Sequence, residues 1–209
     1  MDGLISPKEM EKVSEAKATS LIERHLSARK IDSLEKMTEK LANYTKVVIV
    51  REPFSRLLSA YRNKLENNAR NDGYAALSRK LHSKYGNGSD EDIHGAPAIS
   101  LNDFISHLID PKSDAQADQH WNFYHRLCSP CSIKYDYVVR MDTIDSDMEY
   151  LKMIFGIKNI PFPQSYNSYT DKLKVNEYFA KADPSLVNAL FHTYKLDYDL
   201  FGFPPPPQY

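Results

Sequence analysis

The apolar run Val47-Val48-Ile49-Val50 lies between Lys46 and Arg51, and such a short continuous run predicts a buried strand. The period then changes. Phe54, Leu57, Leu58, Tyr61 and Leu65 recur at helical spacing, so a helix is expected to bury that stripe. Pro53 suits its first position, where a missing N–H costs nothing. Upstream, Pro7 to Leu41 is charged with scattered apolar positions and reads as helical. Residues 67–100 are polar and hold Gly73, Gly86, Gly88, Gly95 and Pro97, which predicts a surface insertion. Ser100 and Asp103 have capping-box spacing. They precede a helix carrying Leu101, Phe104, Ile105, Leu108 and Ile109, with Pro111 as its stop. The β-rich run Ile133–Val139 predicts a second central strand. Ser146 with Glu149 predicts the start of a helix bearing Met148, Leu151, Ile154 and Phe155 and ending near Gly156. A last helix is expected from Asp183-Pro184, burying Leu186, Val187, Leu190, Phe191 and Tyr194. Residues 204–209 form a proline-rich tail of polyproline type. Strands alternating with helices imply one α/β domain with a central parallel sheet flanked by helices.

Composition narrows this little. The 209 residues are 42% hydrophobic, enough for a real core, and the formal net charge is −1. A near-neutral chain has no global attraction for nucleic acid, so a polyanionic ligand would need a locally basic groove. No run of about 18 apolar residues suggests a membrane span, and no charged start followed by an apolar segment suggests a signal peptide. The phosphate loop G-x-x-x-x-G-K-[ST] of P-loop kinases is absent. Cys128 and Cys131 form one C-x-x-C, two ligands short of a zinc site, so no metal is expected. A disulfide within the pair or a redox role both stay open. Asn43-Tyr44-Thr45 and Asn87-Gly88-Ser89 are glycosylation triplets.

The strand-to-helix junction offers chemistry. Arg51 stands at the strand end, and Ser59 lies about 140° around the helix from Phe54, off the buried stripe. Arginine and hydroxyl together suit a phosphate.

The segment "VREPFSRLLSAYRNK" from Val50 resembles the motif with which Golgi carbohydrate sulfotransferases bind the 3′-phosphate of the sulfate donor PAPS, closest to the chondroitin, dermatan and HNK-1 branch. "HWNFYHRLCSPCSIKYDYV" from His120, "FPQSY" from Phe162 and "YKLDYDLFGFPPP" from Tyr194 follow in that branch's order. The likeness covers roughly Ile22 to Pro207. It implies a P-loop-like sulfotransferase fold, with Arg51 and Ser59 as donor ligands and a glycan acceptor such as chondroitin or dermatan. By the same resemblance His25, in Arg24-His25-Leu26-Ser27, takes the place of the catalytic base, and His120 is the second candidate. Arg62, Lys64 and His120 are candidate acceptor contacts, and Asp142 a structural or acceptor-side carboxylate. The family's 5′-phosphosulfate loop, of the form P-K-x-G-C-x-N-W-K, is not present, so the chain is expected to begin after that loop. A Golgi setting, with an N-terminal anchor outside this chain, is implied. Two readings stay open: an active carbohydrate sulfotransferase, or an inactive nucleotide- or glycan-binding remnant.

Overall fold

The computed structural model describes residues 34–66, 72–86, 97–158 and 172–207. In chain order the elements are α1 (Leu34–Asn43), β1 (Val47–Val50), α2 (Pro53–Tyr61) with a π-turn extension (Arg62–Glu66), α3 (Asp72–Tyr85), α4 (Leu101–Ile109), α5 (Tyr124–Leu127), β2 (Tyr137–Arg140), α6 (Ile144–Phe155), α7 (Lys172–Ala180) and α8 (Pro184–Phe201). They fall into two units. One comprises the residues up to Val50 with Tyr124–Val139, the other Arg51–Phe123 with Arg140–Tyr209.

In the first unit β1 and β2 pair as a two-stranded parallel sheet. The amides of Asp136 and Tyr137 both donate to the Lys46 carbonyl, at 2.8 and 3.2 Å. Asp136 in turn accepts from the Lys46 N–H at 2.7 Å, so its side chain occupies the place of the next ladder carbonyl. That is why β2 starts at Tyr137 rather than at Ile133, as the β-rich run suggested. β1 is only half buried. Val48 and Val50 point inward while Val47 and Ile49 are 37% and 48% exposed, the period of a strand covered on one face. Among the described residues the expected central sheet is therefore a small parallel pair within a mostly helical chain.

Before β2, Cys128 closes α5 through an N–H bond to Tyr124 O at 2.7 Å. The chain then turns at Ser129, which adopts a φ of 47°. Its carbonyl takes the N–H groups of Ser132 and Ile133. Cys128 and Cys131 are thiols. The turn that separates them is closed by backbone bonds.

The second unit is built around α2. Its predicted stripe is the core: Phe54, Leu57, Leu58, Tyr61 and Leu65 are all buried. Phe54 stacks on Phe179 of α7 at 4.5 Å and meets Tyr198 of α8 edge-on at 6.0 Å. Tyr61 stacks on Phe104 of α4 at 5.6 Å and donates its hydroxyl to Ile99 O at 2.7 Å. Phe104 meets Trp121 edge-on at 5.3 Å, and Tyr194 donates to Trp121 O at 2.5 Å. The Ser100–Asp103 capping box forms as expected. Asp183 caps α8 by accepting from Ser185 N, and its own N–H donates to Asn102 of α4.

Two expectations change here. The insertion over 67–100 contains the 14-residue α3. Its Ser78 and Leu81 are buried against the core, with Gly73 in its first turn and Gly86 just past its last residue. The helix after β2 begins at Ile144, not Ser146, because Asp147 accepts from Arg140 N and from the Thr143 hydroxyl and so fixes the entry two residues earlier. It ends at Gly156 with φ 64°, as expected. Arg140 pairs with Asp142 at 2.8 Å and lies 4.5 Å above the Phe203 ring, which gives Asp142 a structural role. Among the described residues no helix is long and apolar enough to cross a membrane.

Candidate functional site

Arg51 follows β1 directly, and its Nε donates to the Ser55 hydroxyl at 2.9 Å. Ser55 and Ser59 are four residues apart on α2 and share one face. Arg51 therefore heads a row of two hydroxyls on the first two turns. Its immediate partner is Ser55, which the sequence reading passed over in favour of Ser59. The helix N-terminus itself is already engaged. Glu52 accepts from Phe54 N and Ser55 N at 3.1 and 2.6 Å, and the Tyr198 hydroxyl donates to the same carboxylate. These bonds fill the positive end of α2 with the chain's own anion. An added phosphate would rely on the Arg51 guanidinium and the serine hydroxyls rather than on helix amides. That donor set fits a phosphate group: a planar fork able to hold two oxygens, with neutral O–H donors beside it.

A second cluster assembles further along. Arg56 of α2 donates to Gln119 O at 2.9 Å, tying the 118–121 loop to the same helix. In that loop His120 Nδ1 lies 2.7 Å from Asp118 Oδ1. Tyr74 of α3 donates its hydroxyl to Asp118 Oδ2 at 3.0 Å and reaches His120 Nδ1 at 3.0 Å. Burial and the Asp118 carboxylate push the Tyr74 phenol up to about 12. Lys64, on the π-turn extension of α2, holds its ammonium 5.2 Å from the Tyr74 ring centroid. Lys64 and His120, proposed separately as acceptor contacts, are thus joined through a tyrosine 44 residues from the aspartate it binds. Nothing in the sequence announced Asp118 or Tyr74 as partners of His120.

Arg62 lies further along α2, in its π-turn extension: its Nε donates to Glu66 at 3.1 Å and its guanidinium lies 5.6 Å from the Tyr178 ring of α7. His25 lies outside the described residues. Among those residues no group of histidine, cysteine or carboxylate side chains is placed to hold a metal.

A cavity of about 150 Å³ opens beside α3 and α4, lined by Lys80, Lys84, Tyr85, His107, Ser113 and Asp114 among others. Two of its three lysines are in ion pairs, Lys80 with Asp114 at 2.7 Å and Lys84 with Asp110 at 2.6 Å. An anion entering beside those two would compete with their carboxylates. His107 there is 2% exposed. Burial lowers its pKa from the ordinary 6.5, with Lys80 and Lys84 acting in the same direction against Asp114 and Asp110. The folded chain then binds this proton less readily than the unfolded chain, so its contribution to stability is present above about pH 6.5 and lost as pH falls below it. Thermal unfolding midpoints should fall between pH 7 and pH 5, and His107→Gln should flatten part of that slope. An unchanged slope in the variant would contradict this account.

A profile of the sulfotransferase family matches residues 6–204, and the chain belongs to that family. It is 33% identical over 178 residues to carbohydrate sulfotransferase 12 of Mus musculus, covering 81% of this chain and 42% of that protein. Carbohydrate sulfotransferase 9 of Homo sapiens is 31% identical over 192 residues, covering 88% and 43%. Carbohydrate sulfotransferase 11 of Mus musculus is 29% identical over 188 residues, covering 83% and 51%. The chain spans about half the length of these curated relatives. No solved structure matches it.

Proposed function

We propose that the chain acts in PAPS-dependent transfer of a sulfuryl group to a sugar hydroxyl of a glycosaminoglycan such as chondroitin or dermatan, in the Golgi lumen. The observation that carries the reading is the Arg51 guanidinium heading the Ser55–Ser59 row in a chain of the sulfotransferase family. When bound, PAPS supplies an activated sulfuryl group. Arg51 holds the donor's 3′-phosphate with Ser59, and Ser55 orients the guanidinium toward it. Glu52, saturated by its own hydrogen bonds, fixes the start of α2 and with it the position of this row. A sugar hydroxyl is a very weak acid, so its proton needs an acceptor as the new S–O bond forms. His25 fills that role by resemblance, and Lys64 and His120 face the acceptor.

Incubation of the full chain with labelled PAPS and desulfated chondroitin tests the proposal. Label retained on the polysaccharide is the expected result. Donor binding with no transfer to chondroitin, dermatan or other glycans would make the chain a nucleotide-binding protein and overturn the proposal.

A further inference from the structure

The Tyr74–Asp118–His120 arrangement has a chemical direction. A carboxylate can only accept hydrogen bonds, so at 2.7 Å from Asp118 Oδ1 the His120 Nδ1 must carry a proton. Asp118 Oδ1 also accepts the His120 backbone N–H at 2.8 Å, fixing the loop beneath the ring. The Tyr74 hydroxyl gives its proton to Asp118 Oδ2, and its oxygen is left to share the Nδ1–H. The triangle is closed. In the neutral ring the lone pair is then on Nε2, and the imidazole side chain is 36% exposed. The charge beside this exposed acceptor comes from Lys64, whose ammonium stands over the Tyr74 ring. Among the described residues it has no carboxylate at ion-pair distance. A part-exposed imidazole with its acceptor nitrogen at Nε2, a cation and the Tyr74 ring match a sugar residue that bears hydroxyl donors and one anionic group. Trp121, edge-on to Tyr74 at 6.0 Å and 1% exposed, anchors the assembly from below. The Arg56 bond to Gln119 O ties it to the helix that carries Arg51.

We propose that Lys64, Tyr74, Asp118 and His120 form a subsite for one acidic sugar residue, in which His120 Nε2 accepts the hydrogen bond of a sugar hydroxyl and Lys64 faces the sugar's carboxylate or sulfate ester. Asp118 is the positioning residue that sets the histidine tautomer, and Tyr74 holds its second carboxylate oxygen. This rests on the reading of the acceptor as an acidic glycan.

Nitrogen-15 NMR of the histidine rings in the full chain at pH 8 reads the tautomer directly. The wild type should show His120 protonated at Nδ1, and Asp118→Ala should shift it toward Nε2–H, while Tyr74→Phe, which leaves the carboxylate acceptor in place, should not. Adding a chondroitin sulfate tetrasaccharide should move the Nε2 resonance. Lys64→Gln should weaken tetrasaccharide binding about tenfold, as expected for loss of one charge-assisted contact. It should leave binding of an uncharged chitin tetrasaccharide, and of the desulfated donor product, unchanged. An Nε2–H tautomer in the wild type overturns the proposal without any variant. So does tetrasaccharide binding that leaves His120 unmoved or that Lys64→Gln does not weaken. A chain that binds the desulfated donor product but not the tetrasaccharide overturns the subsite and leaves the donor reading standing. Failure to bind either one overturns both.

Discussion

Replacing Phe54 by alanine should remove about 3–5 kcal/mol of folding stability, the usual cost of deleting a fully buried aromatic ring. Phe54 is 0% exposed, stacked on Phe179 and edge-on to Tyr198, so one truncation loosens α2 from both α7 and α8. Tyr198 also donates to Glu52, which means the loss reaches the residue that fixes the start of α2. Domains of this size hold only about 5–15 kcal/mol in total. Urea unfolding should show a much lower midpoint with little change in slope, and Phe54→Leu should retain most of the stability. A loss under about 1 kcal/mol for Phe54→Ala would mean that α2 is not held by this stack.

His25→Ala should lower turnover about 10²–10⁴-fold, the typical contribution of a positioned general base. Affinity for the desulfated donor product should change little, because the proposed phosphate contacts are Arg51 and Ser59. The informative control is His120→Ala measured in parallel, since both histidines are candidates and only His120 has its hydrogen bonds described. It should weaken acceptor binding, seen as a raised acceptor KM, more than it lowers turnover at saturating glycan. If His120→Ala abolishes transfer while His25→Ala stays near wild type, the two histidines exchange roles.

The helices were legible where one local rule decided them. The Phe54-to-Leu65 stripe, the Ser100–Asp103 box and the Asp183-Pro184 start all form because their determinants lie within a turn or two of each other. The misses are places where a distant or polar partner won. α3 was hidden because its glycines looked like loop residues, while its buried positions Ser78 and Leu81 make sense only against the core. β2 was shortened by an aspartate bonding a lysine amide 90 residues away. The alternation of β1 could not be read from four consecutive aliphatic residues, since such a run fits either face.

The candidate site divides in the same way. Arg51 stood out as a charged residue directly after an apolar strand, yet its bond to Ser55 depends on a side-chain direction that spacing alone leaves open. Lys64 and His120 were singled out one at a time. Their connection runs through Tyr74, in a segment whose composition pointed to a loop.

Titration with adenosine 3′,5′-bisphosphate and with adenosine 5′-phosphate, each against wild type and Arg51→Ala, tests the central claim most directly because the two nucleotides differ only in the 3′-phosphate. A charge-assisted arginine contact contributes about 1.5–3 kcal/mol, roughly 10- to 150-fold in affinity. The account predicts that wild type binds the bisphosphate more tightly by that order, and that Arg51→Ala loses most of the difference while its affinity for adenosine 5′-phosphate barely moves. Equal binding of the two nucleotides by wild type, or an undiminished preference in Arg51→Ala, would contradict it.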